Sequence, residues 1–347
     1  MDFEIAALLT IDGVATGAIY VLLGIGMVLI FTVTRVIFVP FGDIAAFSAL
    51  TLSALESGRA PGTIKLVAVL AVLATLMEVA GLLRLGRVRA VPTALGGYLV
   101  APLAIAGLVW AASGQIWPMP TRIAMAVLLV LPIAPLLDRI VFRPVADGSV
   151  LLLMIISVAL HFALAGLGLL FFGAEGVRTE TLTSARYELG DMLISGQTAM
   201  IVGAATLFSL LLFLFFSFTL TGKALKATAM NRVGARLVAI RPNRAGTIAY
   251  LIGSLTAAIS GVLIAPVNTI FYDSGFLLGL FAFVGAIIGG LSSYPGTALG
   301  GLLVGLLGSF ASFWSSSFKE VIVFAALVPV LLWRSLATVH SEEEIEE

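Results

Sequence analysis

The chain has 347 residues, of which 60% are hydrophobic and only 11% are charged, and its formal net charge is zero. A soluble domain cannot bury so much apolar surface, so the composition indicates a membrane protein. Because the chain contains no cysteine, disulfides, thiolate metal sites and cysteine nucleophiles are excluded. The two histidines, His161 and His340, are too few and too far apart to suggest a metal site.

Apolar stretches close to the roughly 20 residues that cross a hydrocarbon core follow one another along the chain. This pattern predicts an all-α, polytopic transmembrane helical bundle that forms a single domain over residues 1–347. A β-barrel would instead alternate apolar and polar residues. About eleven spans, or 9–11 within the error of such assignments, are predicted in chain order at 8–33, 37–55, 64–83, 95–112, 122–137, 150–172, 198–220, 246–267, 278–292, 297–313 and 320–333.

Basic residues indicate the orientation of the bundle. They concentrate around 84–89, 139–143 and 223–244, and these segments share one face if every predicted span crosses the membrane. The positive-inside rule makes that face cytoplasmic. We therefore predict an outside N-terminus, a cytoplasmic C-terminus, a long outer loop at 173–197 and a solvated acidic tail at 335–347. If residues 278–292 form a re-entrant segment, the number of membrane crossings falls by one, and the two termini no longer lie on opposite sides.

Two of the predicted spans are interrupted. The sequence FVPFGD at 38–43 and the sequence PVNTIFYDSG at 266–275 place proline, glycine and carboxylates beside apolar residues. Interrupted helices in the two halves of a membrane protein are typical of transporters at their substrate site. The pattern favours two related halves with interrupted or re-entrant helices, and it predicts a substrate path drawn from Phe41, Gly42, Asp43, Asn268, Tyr272, Asp273 and Phe281.

Glycine is abundant, at 36 residues, and much of it lies inside apolar spans. Glycines four residues apart lie on one helical face, where they allow two backbones to approach closely. We predict such helix packing, rather than direct lining of a pathway, for three pairs in the C-terminal third: Gly285 with Gly289, Gly296 with Gly300, and Gly301 with Gly305.

Asp43, Glu78 and His161 are ionisable residues that fall within predicted spans. Such residues are functional candidates, and here they could couple protons to transport. Each also has a structural interpretation. Asp43 could be an interfacial carboxylate at a helix start, His161 could form an interhelical hydrogen bond, and Glu78 could pair with Arg84 or reach the interface.

The segment 221–245 is rich in lysine and arginine and contains no carboxylate. A basic, helix-permissive segment between two apolar runs predicts a cytoplasmic docking surface for a soluble partner. It lacks aromatic residues for base stacking, so nucleic acid is not an expected partner. Neither a phosphate-binding loop nor a hydrolase or zinc-protease motif is present. We therefore expect neither enzymatic activity nor a cofactor bound by this chain.

Several motifs resemble those of branched-chain amino-acid ABC transporter permeases, and the resemblance covers nearly the whole chain. GAIYVL at 17–22 and DRIVFRPV at 138–145 resemble that family's first span and central loop. The Gly-rich C-terminal third and KEV at 319–321 also fit. GKALKATAMNR at 222–232, with its continuation to 244, resembles the family's ATPase-coupling loop, and the matching positions are Gly222, Lys223, Ala224, Leu225, Ala227, Ala229, Asn231, Arg232, Ala235, Arg236, Ile240 and Asn243.

The resemblance implies a permease subunit in a bacterial inner membrane that works beside a second permease subunit, identical or homologous. ABC ATPase subunits beneath the pair would bind ATP and Mg²⁺ and would dock on the coupling loop. A periplasmic or extracellular substrate-binding protein would deliver the solute to the outer face. The alternative that the residues leave open is a proton-coupled secondary transporter that acts without an ATPase.

The sequence departs from the family pattern in three places. FVPFGD at 38–43 lacks the polar Asn and His of the family's usual segment, and Phe281 stands where a lysine is common. These losses favour a ligand that is less polar or differently charged than a branched-chain amino acid. Residues 84–118 look inserted relative to the family and predict one or two extra spans.

Overall fold

The computed structural model describes residues 3–146, 148–189, 192–291 and 293–332. The predicted acidic tail at 335–347 lies outside these residues. The described part is helical except for one two-stranded sheet and the connecting segments. An all-α polytopic bundle is therefore confirmed.

Thirteen helices and two strands make up the described part of the chain. In chain order they are α1 (Phe3–Thr34), α2 (Phe41–Glu56), α3 (Thr63–Arg84), α4 (Val88–Ala112), α5 (Met119–Val145), α6 (Val150–Phe172), β1 (Arg186–Leu189), β2 (Met192–Ser195), α7 (Gly196–Phe218), α8 (Leu220–Met230), α9 (Arg232–Leu237), α10 (Pro242–Ile264), α11 (Gly275–Ile288), α12 (Tyr294–Trp314) and α13 (Lys319–Ala325).

Eight helices of the described residues are long and apolar enough to cross a membrane, namely α1, α3, α4, α5, α6, α7, α10 and α12. The helix α11 is apolar but shorter, at 14 residues, and α2 has 16 residues. The first interruption is visible as a break between α1 and α2, and the second as the non-helical segment between α10 and α11. Helix α4 occupies most of the stretch 84–118.

The predicted loop at 173–197 contains regular structure that hydropathy does not reveal. Strands β1 and β2 pair antiparallel, with Arg186 opposite Ser195 and Leu189 opposite Met192. Backbone amides and carbonyls of β1 and β2 therefore form hydrogen bonds with each other, as in a short hairpin.

The chain divides into two compact units, of which one comprises residues 29–182 and 208–280. In this unit α2 packs against α10, α5 and α6, and thirteen of its sixteen residues are buried. Gly261 of α10 lies so close to Ala45 of α2 that a Cβ at position 261 would overlap the Ala45 carbonyl oxygen. Small residues thus let α2 lie in the interior of this unit.

The other unit comprises residues 1–28, 183–207 and 281–347. Here glycines bring backbones together: Gly285 of α11 lies against Gly301 of α12, and Gly305 of α12 lies against Gly17 of α1. A Cβ at Gly300 would overlap the carbonyl oxygen of Gly285. The predicted glycine pairs therefore lie where α1, α11 and α12 meet.

Replacing Gly300 by alanine should destabilise the protein, because the new methyl group meets backbone that cannot rotate away. We expect a cost of about 1–3 kcal/mol and a lower midpoint of thermal unfolding in mild detergent. The matched control is Gly166→Ala in α6, where no other atom lies within 4 Å of the added Cβ and alanine favours the helix. Equal midpoints for the two variants would contradict this packing.

Candidate functional site

The break between α1 and α2 is the first element of the candidate site. Arg35 adopts a left-handed backbone conformation with φ of 64°, and Pro40 lacks an amide hydrogen. The Val39 amide donates a hydrogen bond to Ser157 Oγ of α6 at 2.8 Å. Because a bilayer offers no water to satisfy such groups, a partner from a neighbouring helix is required for this break.

Asp43 lies in the first turn of α2, fully buried, and interacts with His161 of α6. The Nδ1 atom of His161 lies 3.0 and 2.8 Å from the two carboxylate oxygens of Asp43, and the His161 ring lies 4.9 Å from that of Phe276. Each member of this buried pair satisfies the other. The two residues are 118 positions apart in the sequence, and the structure brings them together.

Helix α6 contacts the break through two side chains on one face. Ser157 and His161 are four residues apart in α6, and their partners Val39 and Asp43 are also four residues apart. Residues at this spacing lie one above the other on a helix. Val39 contributes its backbone amide rather than a polar side chain, so the signal in the sequence is limited to Ser157 and His161, two polar residues on one face of an apolar helix.

The two predicted interruptions meet within this unit. A Cβ at Gly42 would overlap the carbonyl oxygen of Gly275, and a Cβ at Gly275 would overlap Asp43. The start of α11 therefore lies directly on the start of α2, at a distance that only glycine permits.

The segment 265–274 is fixed by the long loop that precedes β1. Ile270 forms an antiparallel bridge with Val177, and the Arg178 guanidinium donates a hydrogen bond to the Pro266 carbonyl oxygen at 2.9 Å. Of the predicted path residues in this segment, Asn268 and Asp273 are exposed and Tyr272 is half-buried. By contrast, Phe41, Gly42 and Asp43 are buried.

Phe281 belongs to the other unit and lies in an aromatic cluster. Its ring centroid is 5.4 Å from that of Tyr20 in α1 and 5.6 Å from that of Phe324 in α13. Lys319 Nζ lies 5.9 Å from the same ring centroid. The sequence predicted only an apolar residue at 281, but a cation from α13 lies beside it. The substrate path itself stays a prediction.

Helices α8 and α9 form the basic segment, and side-chain caps begin both. The Thr219 hydroxyl accepts a hydrogen bond from the Gly222 amide at 3.0 Å, and Asn231 Oδ1 accepts bonds from the Val233 and Gly234 amides. One face of α8 is buried through Gly222, Leu225 and Thr228. The caps and this buried face give the segment a defined shape.

The opposite face of the basic segment is open. Lys223, Lys226 and Arg236 are exposed. Large apolar side chains are exposed with them to between 68% and 86%, namely Leu220, Met230, Val233, Leu237 and Val238. A cavity of about 490 Å³ lies beside them, and it is lined by residues of α8 and α10 and of the turn between α9 and α10, among them Leu220, Ala224, Ile240, Arg241 and Arg244. The sequence indicated the basic residues but not this apolar surface.

Two other charged residues within the spans, Glu78 and Arg143, have partners. Glu78 pairs with Arg139 rather than with the predicted Arg84. Arg143 bonds to Asp138 at 3.0 Å and to the Tyr98 hydroxyl at 3.0 Å. These contacts connect α5 to α3 and α4. Among the described residues, no cluster of three or more carboxylates and histidines could hold a metal ion.

Residues 9–331 match the family model described as branched-chain amino acid transport system / permease component. The high-affinity branched-chain amino acid transport system permease protein LivH of Escherichia coli is 29% identical over 203 residues, which are 56% of this chain and 66% of that protein. The permease protein BraD of Pseudomonas aeruginosa is 30% identical over 205 residues, which are 57% of this chain and 67% of that protein.

The matched region thus spans just under two thirds of the LivH protein. LivH of Salmonella typhimurium matches to the same extent, with 29% identity over 203 residues. No solved structure matches this chain.

Replacing Asp43 by asparagine should lower the midpoint of thermal unfolding, because it weakens a buried interaction and leaves His161 without its carboxylate partner. We expect a cost of about 1–3 kcal/mol. His161→Gln should cost a similar amount, and the double variant less than the sum of the two because both partners are then changed. Glu175→Gln, at an exposed position, serves as the control. Additive effects would show that the two side chains do not interact.

Proposed function

The chain belongs to the family of branched-chain amino acid transport system permease components, and from this premise we propose that it is the transmembrane subunit of an ABC importer. The membership confirms the resemblance found in the sequence. The solute we propose is a branched-chain amino acid or a related small organic molecule, moved inward at the cost of ATP hydrolysis on a partner subunit. The observation that carries the proposal is the exposed surface of α8 and α9.

That surface combines two features that a lipid-facing helix would not show together. Lys223, Lys226 and Arg236 would not lie in hydrocarbon, whereas Met230 and Leu237, exposed to 85% and 84%, would not remain in water without a partner. A soluble protein that covers the apolar side chains and offers carboxylates to the basic ones satisfies both requirements. An ABC ATPase subunit is the partner that family membership favours.

The remaining parts of the assembly follow from the same premise. ATP and Mg²⁺ bind to the ATPase, since this chain lacks a phosphate-binding loop. A second permease subunit completes the pore, and a substrate-binding protein delivers the solute to the outer face at the loop 173–197. The chain functions as one permease domain in the bacterial inner membrane, with its N-terminus outside and its C-terminus in the cytoplasm.

A second candidate is a proton-coupled transporter that needs no ATPase. The observation in its favour is the buried pair of Asp43 and His161, since intramembrane ionisable pairs can relay protons. The Val39 to Ser157 hydrogen bond beside the pair favours a structural role for it instead. The proton-coupled mechanism also does not explain the exposed basic and apolar surface of α8 and α9.

The docking surface can be tested by co-purification of the tagged chain from its native cells in mild detergent, with any ABC ATPase subunit identified by mass spectrometry. The double variant Arg236→Glu and Leu237→Ser should reduce ATPase recovery by about tenfold or more, because it reverses an exposed charge and removes an exposed apolar contact. Arg232 is left unchanged since its Nε atom is buried. The control is Arg59→Glu with Lys65→Glu, both at exposed positions outside α8 and α9. Equal recovery from the two double variants would refute the docking surface.

The energy source can be tested separately by leucine uptake into proteoliposomes that contain the complete assembly. We expect uptake to require ATP, to persist in the presence of a protonophore and to show no dependence on an imposed pH gradient. The chain reconstituted alone should not accumulate leucine. Accumulation that follows the pH gradient without the ATPase would instead support the proton-coupled mechanism.

A further inference from the structure

A cavity of about 400 Å³ lies between α4, α5 and α10, within the unit of residues 29–182 and 208–280. Three of the residues that line it, Gly97, Ala101 and Leu251, are themselves exposed, so the cavity opens on the outer surface of the packed helices. Because α4, α5 and α10 are each long and apolar enough to cross a membrane, the opening faces lipid rather than water.

The cavity is apolar except at one end. Of its described lining residues, Tyr98 and Thr247 are the two with a polar side chain. Arg143 of α5 donates hydrogen bonds to the Tyr98 hydroxyl at 3.0 Å and to Thr247 Oγ1. Arg143 also pairs with Asp138 at 3.0 Å, so the charge at this end is balanced within the protein. The rest of the cavity suits an apolar chain.

Unbalanced positive charge lies where α4 begins. Arg84 ends α3, Arg87 and Arg89 follow it, and all three are exposed. Residues 79–137 contain no carboxylate, and these arginines take part in none of the ion pairs of the described residues. The exposed apolar residues Leu85 and Val88 lie between them. Alternating basic and apolar side chains beside a membrane helix are typical of the interface with phospholipid headgroups.

The basic segment and the cavity are one lipid length apart. Gly97 is eight residues beyond Arg89 in the sequence, which is about 12 Å along a helix. An acyl chain reaches from the interface to the middle of the hydrocarbon core, about 15 Å. A phosphate bound at the start of α4 therefore places an acyl chain at the level of the cavity. A free inorganic anion would contact the arginines but could not fill the apolar space.

We propose that this cavity holds an acyl chain of an anionic phospholipid whose phosphate is bound by Arg87 and Arg89. The apolar walls bind the chain, and the two arginines select a negative headgroup. Helix α4 occupies most of the stretch 84–118, which looks inserted relative to the family, so the lipid stabilises this helix against α5 and α10. The inference does not depend on the energy source of transport.

The test measures lipid binding to the full-length chain, purified with its accompanying subunits, delipidated in mild detergent and followed by native mass spectrometry. The probes are phosphatidylglycerol, which is anionic, and phosphatidylcholine, which is zwitterionic, with identical acyl chains. Gly97→Leu fills the cavity, and no atom lies within 4 Å of a Cβ added there. The matched control is Gly107→Leu, in the same helix, equally unobstructed and outside the cavity lining.

The headgroup contact is tested with the double variant Arg87→Gln and Arg89→Gln, which removes two charges and leaves the cavity intact. Its control is Arg59→Gln with Lys65→Gln, at exposed positions away from the start of α4. We expect the native chain and this control to bind phosphatidylglycerol about tenfold or more tightly than phosphatidylcholine, because each basic residue near the headgroups attracts anionic lipid. The double arginine variant should lose this preference and still bind phosphatidylcholine.

Gly97→Leu should bind both lipids about tenfold or more weakly than Gly107→Leu, because the leucine side chain takes the place of the acyl chain. Equal binding of the two lipids by the native chain, equal binding by the two glycine variants, or an unchanged preference in the double arginine variant would overturn the inference. So would unchanged lipid binding by Gly97→Leu together with the loss of a permease subunit from the complex, which would place a second subunit at the cavity.

Discussion

The break between α1 and α2 constrains the unit that contains it, because backbone polar groups in a bilayer must find partners within the protein. Ser157 supplies one partner to the Val39 amide, and His161 supplies the other to the Asp43 carboxylate. Both come from one face of α6, so the position of α6 depends on the break. The start of α11 approaches the same place through Gly42 and Gly275. An uninterrupted helix at 35–43 would need none of these contacts.

Close backbone approach is used throughout both units. Hydrocarbon does not drive apolar helices together as water does, so contact area and backbone proximity must stabilise their packing. Glycine at positions such as Gly261 and Gly300 meets this need, since a methyl group there would meet the backbone of the neighbouring helix. Tightly packed helices resist deformation. Under the proposed function, a movement that an ATPase makes at α8 and α9 would pass to helices packed in this way.

The distribution of charge separates structural residues from candidate functional ones. Within the described spans, Asp43, Glu78 and Asp138 each have a basic partner, so their charges are satisfied inside the protein. The exposed basic residues of α8 and α9, Lys223, Lys226 and Arg236, form no ion pair among the described residues. Unpartnered cations at defined places are suited to bind something from outside the chain. For α8 and α9 we propose a protein surface.

The sequence by itself determined the membrane class, the two helix breaks, the basic segment and the family, because hydropathy, proline and glycine positions, charge and short motifs are local properties. It also indicated which glycines belong to packed helices, but not which backbone each one meets. Only the tertiary structure decided that Asp43 pairs with His161, that Glu78 pairs with Arg139, that apolar side chains accompany the basic ones on α8 and α9, and that Lys319 lies over Phe281. The physical reason is that these contacts join residues far apart in sequence, and which of them meet depends on how the helices pack rather than on any residue's neighbours along the chain.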